Sequence, residues 1–347
     1  EISACLVGSE MCIRDSYKTR TLVFKNSYIA EGYTVAGPKE NDGRYKGCFD
    51  LSLSDDMFGE KTFEKAERRM FEHAINGAIA KANLTIDHID AVFGGDLLNQ
   101  IVSCAFAMRN VHSGFFGLYN ACATFVESLI LGAGMLNNGL ENVLCVSGSH
   151  FSTAERQYRY PLELGVLRSP VTQWTATGVG CSVLTSRPQS ECPKILKATV
   201  GRVVDYGIMD TNNMGAAMAP AAVDTFETFL HDTKSKASDY DIVITGDLGK
   251  LGGDIFMDLL GRKGIDISGR YLDCGASLYF DSQQTYQGGS GAACSALVFN
   301  SEILNNLNRG KYKKAVLIGT GALMSPTTSF QGESIPAIAH LVQIDRR

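Results

Sequence analysis

The chain repeats itself, and the repeat limits what it can become. Residues 240–252, YDIVITGDLGKLG, echo residues 89–101, IDAVFGGDLLNQI, and both carry V-x-x-G-D-L. Residues 288–310, GGSGAACSALVFNSEILNNLNRG, echo 117–139, GLYNACATFVESLILGAGMLNNG. A third pair is KAVLIGTGA (314–322) and NVLCVSGSH (142–150). Cys122 precedes Asn142 by 20 positions, and Cys294 precedes Lys314 by 20. Gly139 and Gly310 are placed as C-terminal caps of the two helices. Similarity at a fixed offset is the mark of a duplicated unit. Here the unit is a short buried strand, a glycine-bearing loop and a helix. Such alternation builds α/β layers around a mixed or mostly parallel sheet. The stretch 186–194, SRPQSECPK, has two prolines and no period, and divides the halves as 17–190 and 191–347. Two such halves meet at their loops, where a pocket belongs.

Bulk properties remove several function classes. A net charge of −5 leaves no electrostatic footprint for nucleic acid. The ten cysteines include no C-x-x-C pair, which argues against a disulfide framework and for a reducing interior. The six histidines form no close pair or H-E-x-x-H, so neither a metal site nor a cofactor is expected. No apolar run reaches the ~18–20 residues of a membrane span, and no signal segment is recognisable. The expectation is an intracellular protein, soluble or peripheral to a membrane. Residues 1–16, EISACLVGSEMCIRDS, have no assignable period and are set aside as a non-native leader. A short native arm is the alternative.

Residues 61–82 place Phe63, Ala66, Met70, Phe71, Ala74, Ile75 and Ile79 on one face of an amphipathic helix. A strand at 89–95 leads to a helix at 101–111. Cys122 then stands at the mouth of a long apolar helix. A cysteine before a helix gains from the positive end of the helix dipole, which favours thiolate and makes a nucleophile. The alternative is a small buried residue at a tight turn.

At this point the residues carry a resemblance. Two homologous halves, with a cysteine at a helix start, resemble the thiolase superfamily. The strings AGPKE (36–40), ACATFVES (121–128), TAERQYRYP (153–161), ATVGRVVDYGIMD (198–210) and MGAAMAPAAVDT (214–225) are similar, more narrowly, to the stage V sporulation protein AD family. The likeness runs from Tyr17 to about Val342. It implies a five-layered α-β-α-β-α fold of two thiolase-like halves, usually a homodimer. It also implies binding of dipicolinic acid, alone or as its calcium chelate, during uptake into spores. The implied partners are other stage V sporulation A proteins of the inner spore membrane.

Condensing enzymes of this superfamily need a cysteine, a proton-handling His or second Cys, and oxyanion donors. Cys122 matches the nucleophile. The second-half loop where initiating ketoacyl synthases carry histidine reads Ile244-Thr245-Gly246-Asp247-Leu248. The asparagine position reads Gly288-Gly289-Ser290-Gly291, and 319–324, GTGALM, has no second cysteine. The resemblance therefore implies a binding protein with a vestigial nucleophile. Acyl transfer or condensation through Cys122 is the competing reading.

Dipicolinate is a flat pyridine with two carboxylates. It calls for an apolar slot and for cations or N–H donors. The loop 150–161 supplies His150, Arg156 and Arg159, interleaved with tyrosines. The helix start at Cys122–Thr124 is an anion seat. Asp247 and Ser290 occupy the vacated positions, with Asp247 suited to bound calcium. Lys39 and Arg202 are secondary candidates. For each arginine the alternative is a surface pair with Glu155 or Glu163, and for His150 a structural hydrogen bond.

Overall fold

The computed structural model describes residues 19–346 apart from 160–163, 166 and 189–190, so the leader 1–16 lies outside the described residues. Among the described residues the main sheet has twelve strands, and its continuous path takes five from each half. The first five are β1 (Tyr28–Ala36), β2 (Ala91–Gly95), β3 (Gly114–Gly117), β4 (Asn142–Ser149) and β5 (Gly178–Thr185). The next five are β6 (Lys194–Thr199), β7 (Ile242–Thr245), β8 (Tyr271–Asp273), β9 (Lys314–Ala322) and β10 (Ala337–Asp345). The sheet runs β8-β7-β9-β10-β6 and then β1-β5-β4-β2-β3. Both halves thus have the strand order 3-2-4-5-1, joined edge to edge where Tyr28 pairs with Lys194. Within each half the inner strands pair in parallel, and the last strand returns antiparallel.

Three apolar layers explain why strands such as β4 and β5 are apolar nearly throughout. One outer layer is α1 (Phe63–Lys81), which lays Met70, Phe71, Ala74 and Ile75 on the first-half sheet. The middle layer is α2 (Thr124–Asn137) with α6 (Ala292–Val298), packed between the two half-sheets. The far layer is α4 (Met214–Thr233) with α5 (Gly249–Arg262) on the second-half sheet. This is the thiolase-like α-β-α-β-α arrangement. Small residues permit its tight centre: a Cβ on Gly180 of β5 would meet the Ala296 carbonyl oxygen of α6 at 2.5 Å.

The helix expected at 101–111 forms over Val102–Ala107 and tightens into a 3-10 turn at Met108–Asn110. A turn at Asn99–Ile101 puts Gln100 and Ile101 at φ 62° and 46°, before this short helix. Asp96 fixes this start by accepting hydrogen bonds from Leu98 N and from Cys104 N in the first helical turn, both at 2.7 Å. Among the described residues no helix is long and apolar enough to cross a membrane, and no group of candidate metal ligands is assembled.

Candidate functional site

Loops at the strand ends of both halves enclose a cavity of about 480 Å³. Leu97 and Asn99 come from the turn after β2, Tyr119 and Ala121 from the segment after β3, and Ala322–Thr327 from the end of β9. Ser290 and Thr175 pair on a short ladder at the wall. The last helix at the cavity is α3 (Phe151–Tyr158), which adds Ala154, Gln157 and Tyr158, with Arg159 at its C-terminal end.

Cys122 lines this cavity, in a tight turn before α2 where Ala121 has φ +50°. Its Sγ is 3.9 Å from Ser290 Oγ. Asp247 is buried, with Oδ1 accepting from Thr320 Oγ1 at 2.8 Å and Oδ2 from Gly291 N at 3.1 Å. The helix start does not make Cys122 a thiolate. Burial and then the Asp247 carboxyl push the thiol well above its ordinary range, so it is held protonated. Burial raises the pKa of Asp247 as well.

Several candidates from the sequence have other duties. Thr124 Oγ1 donates to the Ala121 carbonyl at 2.8 Å and accepts from Asn120 N at 3.3 Å, so it caps its own turn rather than lining the cavity. His150 is the N-cap of α3: Nδ1 accepts from Ser152 N at 3.1 Å and Nε2 meets the Asp56 carbonyl at 2.9 Å. Burial pushes its pKa down, which keeps it neutral. Arg156 turns outward to an ion pair with Glu64. Lys39 Nζ donates to the Gln283 carbonyl at 2.9 Å and lies 4.1 Å from the centre of the Trp174 ring. Arg202 pairs with Asp224 at 2.7 Å on the surface. Cys122, Ser290 and Arg159 are brought together at the cavity, with Asp247 buried among them through Gly291 and Cys122.

The cavity also uses residues that sequence reasoning passed over. Tyr119 and Tyr158 hydroxyls are 2.8 Å apart, and Tyr158 donates to the Leu97 carbonyl. Gln157 Nε2 donates to the same carbonyl at 2.8 Å, and its Oε1 accepts from Asn99 N at 2.9 Å. These bonds fix one wall. Asn120, beside the cysteine turn, meets His340 Nε2 at 2.9 Å, while His340 Nδ1 accepts from Gly201 N at 3.0 Å. Burial pushes His340 down to about 4, so its ring is neutral. The tyrosines flanking Cys122 and Arg159 were the available signal; His340, far along the chain, carried none.

The family model for stage V sporulation protein AD (SpoVAD) matches residues 18–345. Stage V sporulation protein AD of Bacillus subtilis (strain 168) is 40% identical over 329 residues, which is 94% of this chain and 97% of that protein. Among solved structures, a Xanthomonas campestris OleA variant has a TM-score of 0.59 at 16% identity, covering 93% of this chain and 99% of its own. A second OleA variant, with bound lauric acid and lauroyl-CoA, has a TM-score of 0.60 at 16% identity, covering 93% and 100%. At such identity the likeness speaks for the fold alone.

Proposed function

The chain belongs to the stage V sporulation protein AD family, and from that premise we propose that it is a noncatalytic binding protein for dipicolinic acid or its calcium chelate, supporting uptake into developing spores. Membership in the family makes it a sporulation protein. The observation that carries the noncatalytic reading is the company Cys122 keeps. Burial, and then the carboxyl group of Asp247 beside it, raise the thiol's pKa. A cysteine nucleophile is usually activated by the reverse, a neighbouring imidazolium or other cation that favours thiolate. No imidazole lines the cavity among the described residues. Acid–base help of that kind is typically worth ~10²–10⁴-fold.

The binding reading draws on the cavity's size and walls. Tyr119, Tyr158, Leu97 and Met214 offer flat and apolar surface for a pyridine ring, and Arg159 offers a guanidinium for a carboxylate. A second copy of the chain and the stage V sporulation A proteins of the inner spore membrane are the partners we propose.

Calorimetric titration of the purified protein with dipicolinate, with and without calcium, tests the reading. Saturable binding is expected, and its absence under both conditions would sink it. One observation favours acyl transfer instead: Cys122 borders the cavity, and an OleA variant of the same fold was solved with lauroyl-CoA. Intact-mass analysis after incubation with acyl-CoA decides between them. We expect no adduct; an adduct lost in Cys122→Ala would establish the enzyme.

A further inference from the structure

Glu155 serves two arginines. It is buried on α3, and its Oε1 lies 2.5 Å from Arg159 Nη1 and 3.4 Å from Arg168 Nη1. One carboxylate between two guanidiniums leaves one positive charge unbalanced within this trio. Arg159 borders the cavity, and its hydrogen bonding is incomplete. Among the described residues Nη2 meets only Met214 Sδ, at 3.7 Å, a weak acceptor. Its buried Nε has no partner among the described residues. The side chain is 7% exposed, so water is a poor substitute for those bonds.

Arg168, whose buried Nε also lacks a partner among the described residues, is held through its other groups. It donates to the Gln173 carbonyl, and its guanidinium lies over the stacked rings of Phe151 and Trp174. Gln173 Nε2 in turn donates to the carbonyls of Asp247 at 2.7 Å and Gly289 at 2.8 Å. Arg168 is thereby tied to the strand that carries Ser290.

We propose that Glu155 is the counter-ion a carboxylate ligand displaces from Arg159, and that Arg168 is the positioning residue that keeps Glu155 when this happens. The inference rests on reading the cavity as a dipicolinate site. A ligand carboxylate that takes Arg159 through its open Nη2 and Nε edge competes with Glu155 for the charge of the same guanidinium. A displaced, buried carboxylate with no partner is strongly unfavourable. Arg168 already stands 3.4 Å away as the alternative partner, and a small shift of Glu155 completes that pair. The exchange conserves ion pairs: one is lost and two remain, Arg159 with ligand and Arg168 with Glu155.

Dipicolinate titrations of full-length variants test this through opposite signs. Glu155→Gln removes the competitor, and should tighten binding by about threefold or more even as it lowers the melting temperature. Arg168→Gln should weaken binding by about tenfold. In the double variant the Arg168 effect should vanish, since no Glu155 is left to retain. A merely structural role for the cluster would weaken binding in all three, and that result overturns the proposal. So does an Arg168→Gln loss that persists undiminished without Glu155. If Arg168→Gln does not fold, Arg168→Lys replaces it, with a smaller loss expected in the same pattern and none overturning the proposal. Absence of binding by the wild-type protein would fail the functional reading itself, whereas wild-type binding with equal losses fails only this inference.

Discussion

The two halves share a strand order but use their matching acids differently. Asp96 ends β2 and Asp247 ends β7, each in Gly-Asp-Leu. Asp96 spends its oxygens on the backbone N–H groups of Leu98 and Cys104. In the second half that work passes to Asp273, which accepts from Leu248 N at 2.8 Å and Gly249 N at 3.0 Å. Asp247 is thereby released to face Thr320, Gly291 and Cys122. The matching cysteines diverge too. Cys122 is 7% exposed and lines the cavity, whereas Cys294 is 0% exposed inside the buried helix α6. Duplication thus reproduces the core, while divergence of the loops makes a single pocket with one half's cysteine and the other half's acid.

The glycines before those acids offer the sharpest break in the comparison. A Cβ at Gly95 would sit 1.8 Å from the Leu118 carbonyl oxygen, because the chain leaving β3 crosses directly over it. The nearest atom to a Cβ at Gly246 is Thr320 N, at 3.4 Å. Gly95→Ala should cost about 3 kcal/mol or more. Gly246→Ala should cost less than about 1 kcal/mol. Denaturant unfolding of the two variants measures the difference; equal costs would mean the crossing is not a fixed feature of the first half.

Next in size is a pH effect where the halves touch. Glu40 is wholly buried and accepts from Thr177 N at 3.1 Å and from the Tyr279 hydroxyl of the second half. Burial, opposed by those bonds, pushes its pKa up to about 7 from 4.5. Between these values the folded chain keeps a proton that the unfolded chain has lost. Stability therefore falls as pH rises through that window and levels off above it. Asp273, raised by burial to about 7, acts in the same direction, while His340, lowered to about 4, acts in the opposite one. Comparison with Glu40→Gln isolates the one group. From pH 5 to pH 8 the wild-type protein should lose about 2.5 kcal/mol more than the variant. Parallel stability curves would refute the buried proton.

A third test returns to the paired acids. Asp247→Asn removes the carboxyl that adds to burial in raising the Cys122 thiol. Alkylation of Cys122, followed by peptide mass at pH 8, should speed up as the thiol pKa falls. Asp96→Asn should leave it unchanged. If both variants accelerate alkylation alike, general loosening and not the neighbouring charge is responsible.

What could be read from the chain divides along the same line. The doubled strand–loop–helix unit was legible because its apolar strands and glycine-capped helix recur at one spacing. Cys122 was legible at the pocket because its turn and helix are contiguous in sequence. Its protonation was not, because Asp247 and Ser290 arrive from the other half. The left-handed turn at Asn99–Ile101 was hidden for a similar reason: the Asp96 side chain takes Leu98 N and the Cys104 N that the helix start leaves unpaired. His150 stayed open between two readings because a strand-end histidine reads alike as a ligand or as the structural cap it is for α3.

Arg156 and Arg159 show how fine this limit is. They lie three residues apart at the end of one short helix, and their chemistry is identical. One step around the helix sends Arg156 to the surface pair with Glu64, its side chain 40% exposed. The other brings Arg159 to the cavity wall, 7% exposed. An exposed pair of this kind contributes about 0–1 kcal/mol. Arg156→Gln should therefore shift unfolding by about 0.5 kcal/mol or less and leave dipicolinate affinity within about twofold. Arg159→Gln should weaken binding by about tenfold or more, because it removes the only cation lining the cavity among the described residues. A reversal, with Arg156 mattering and Arg159 silent, would move the ligand from the cavity to the outer face of α3.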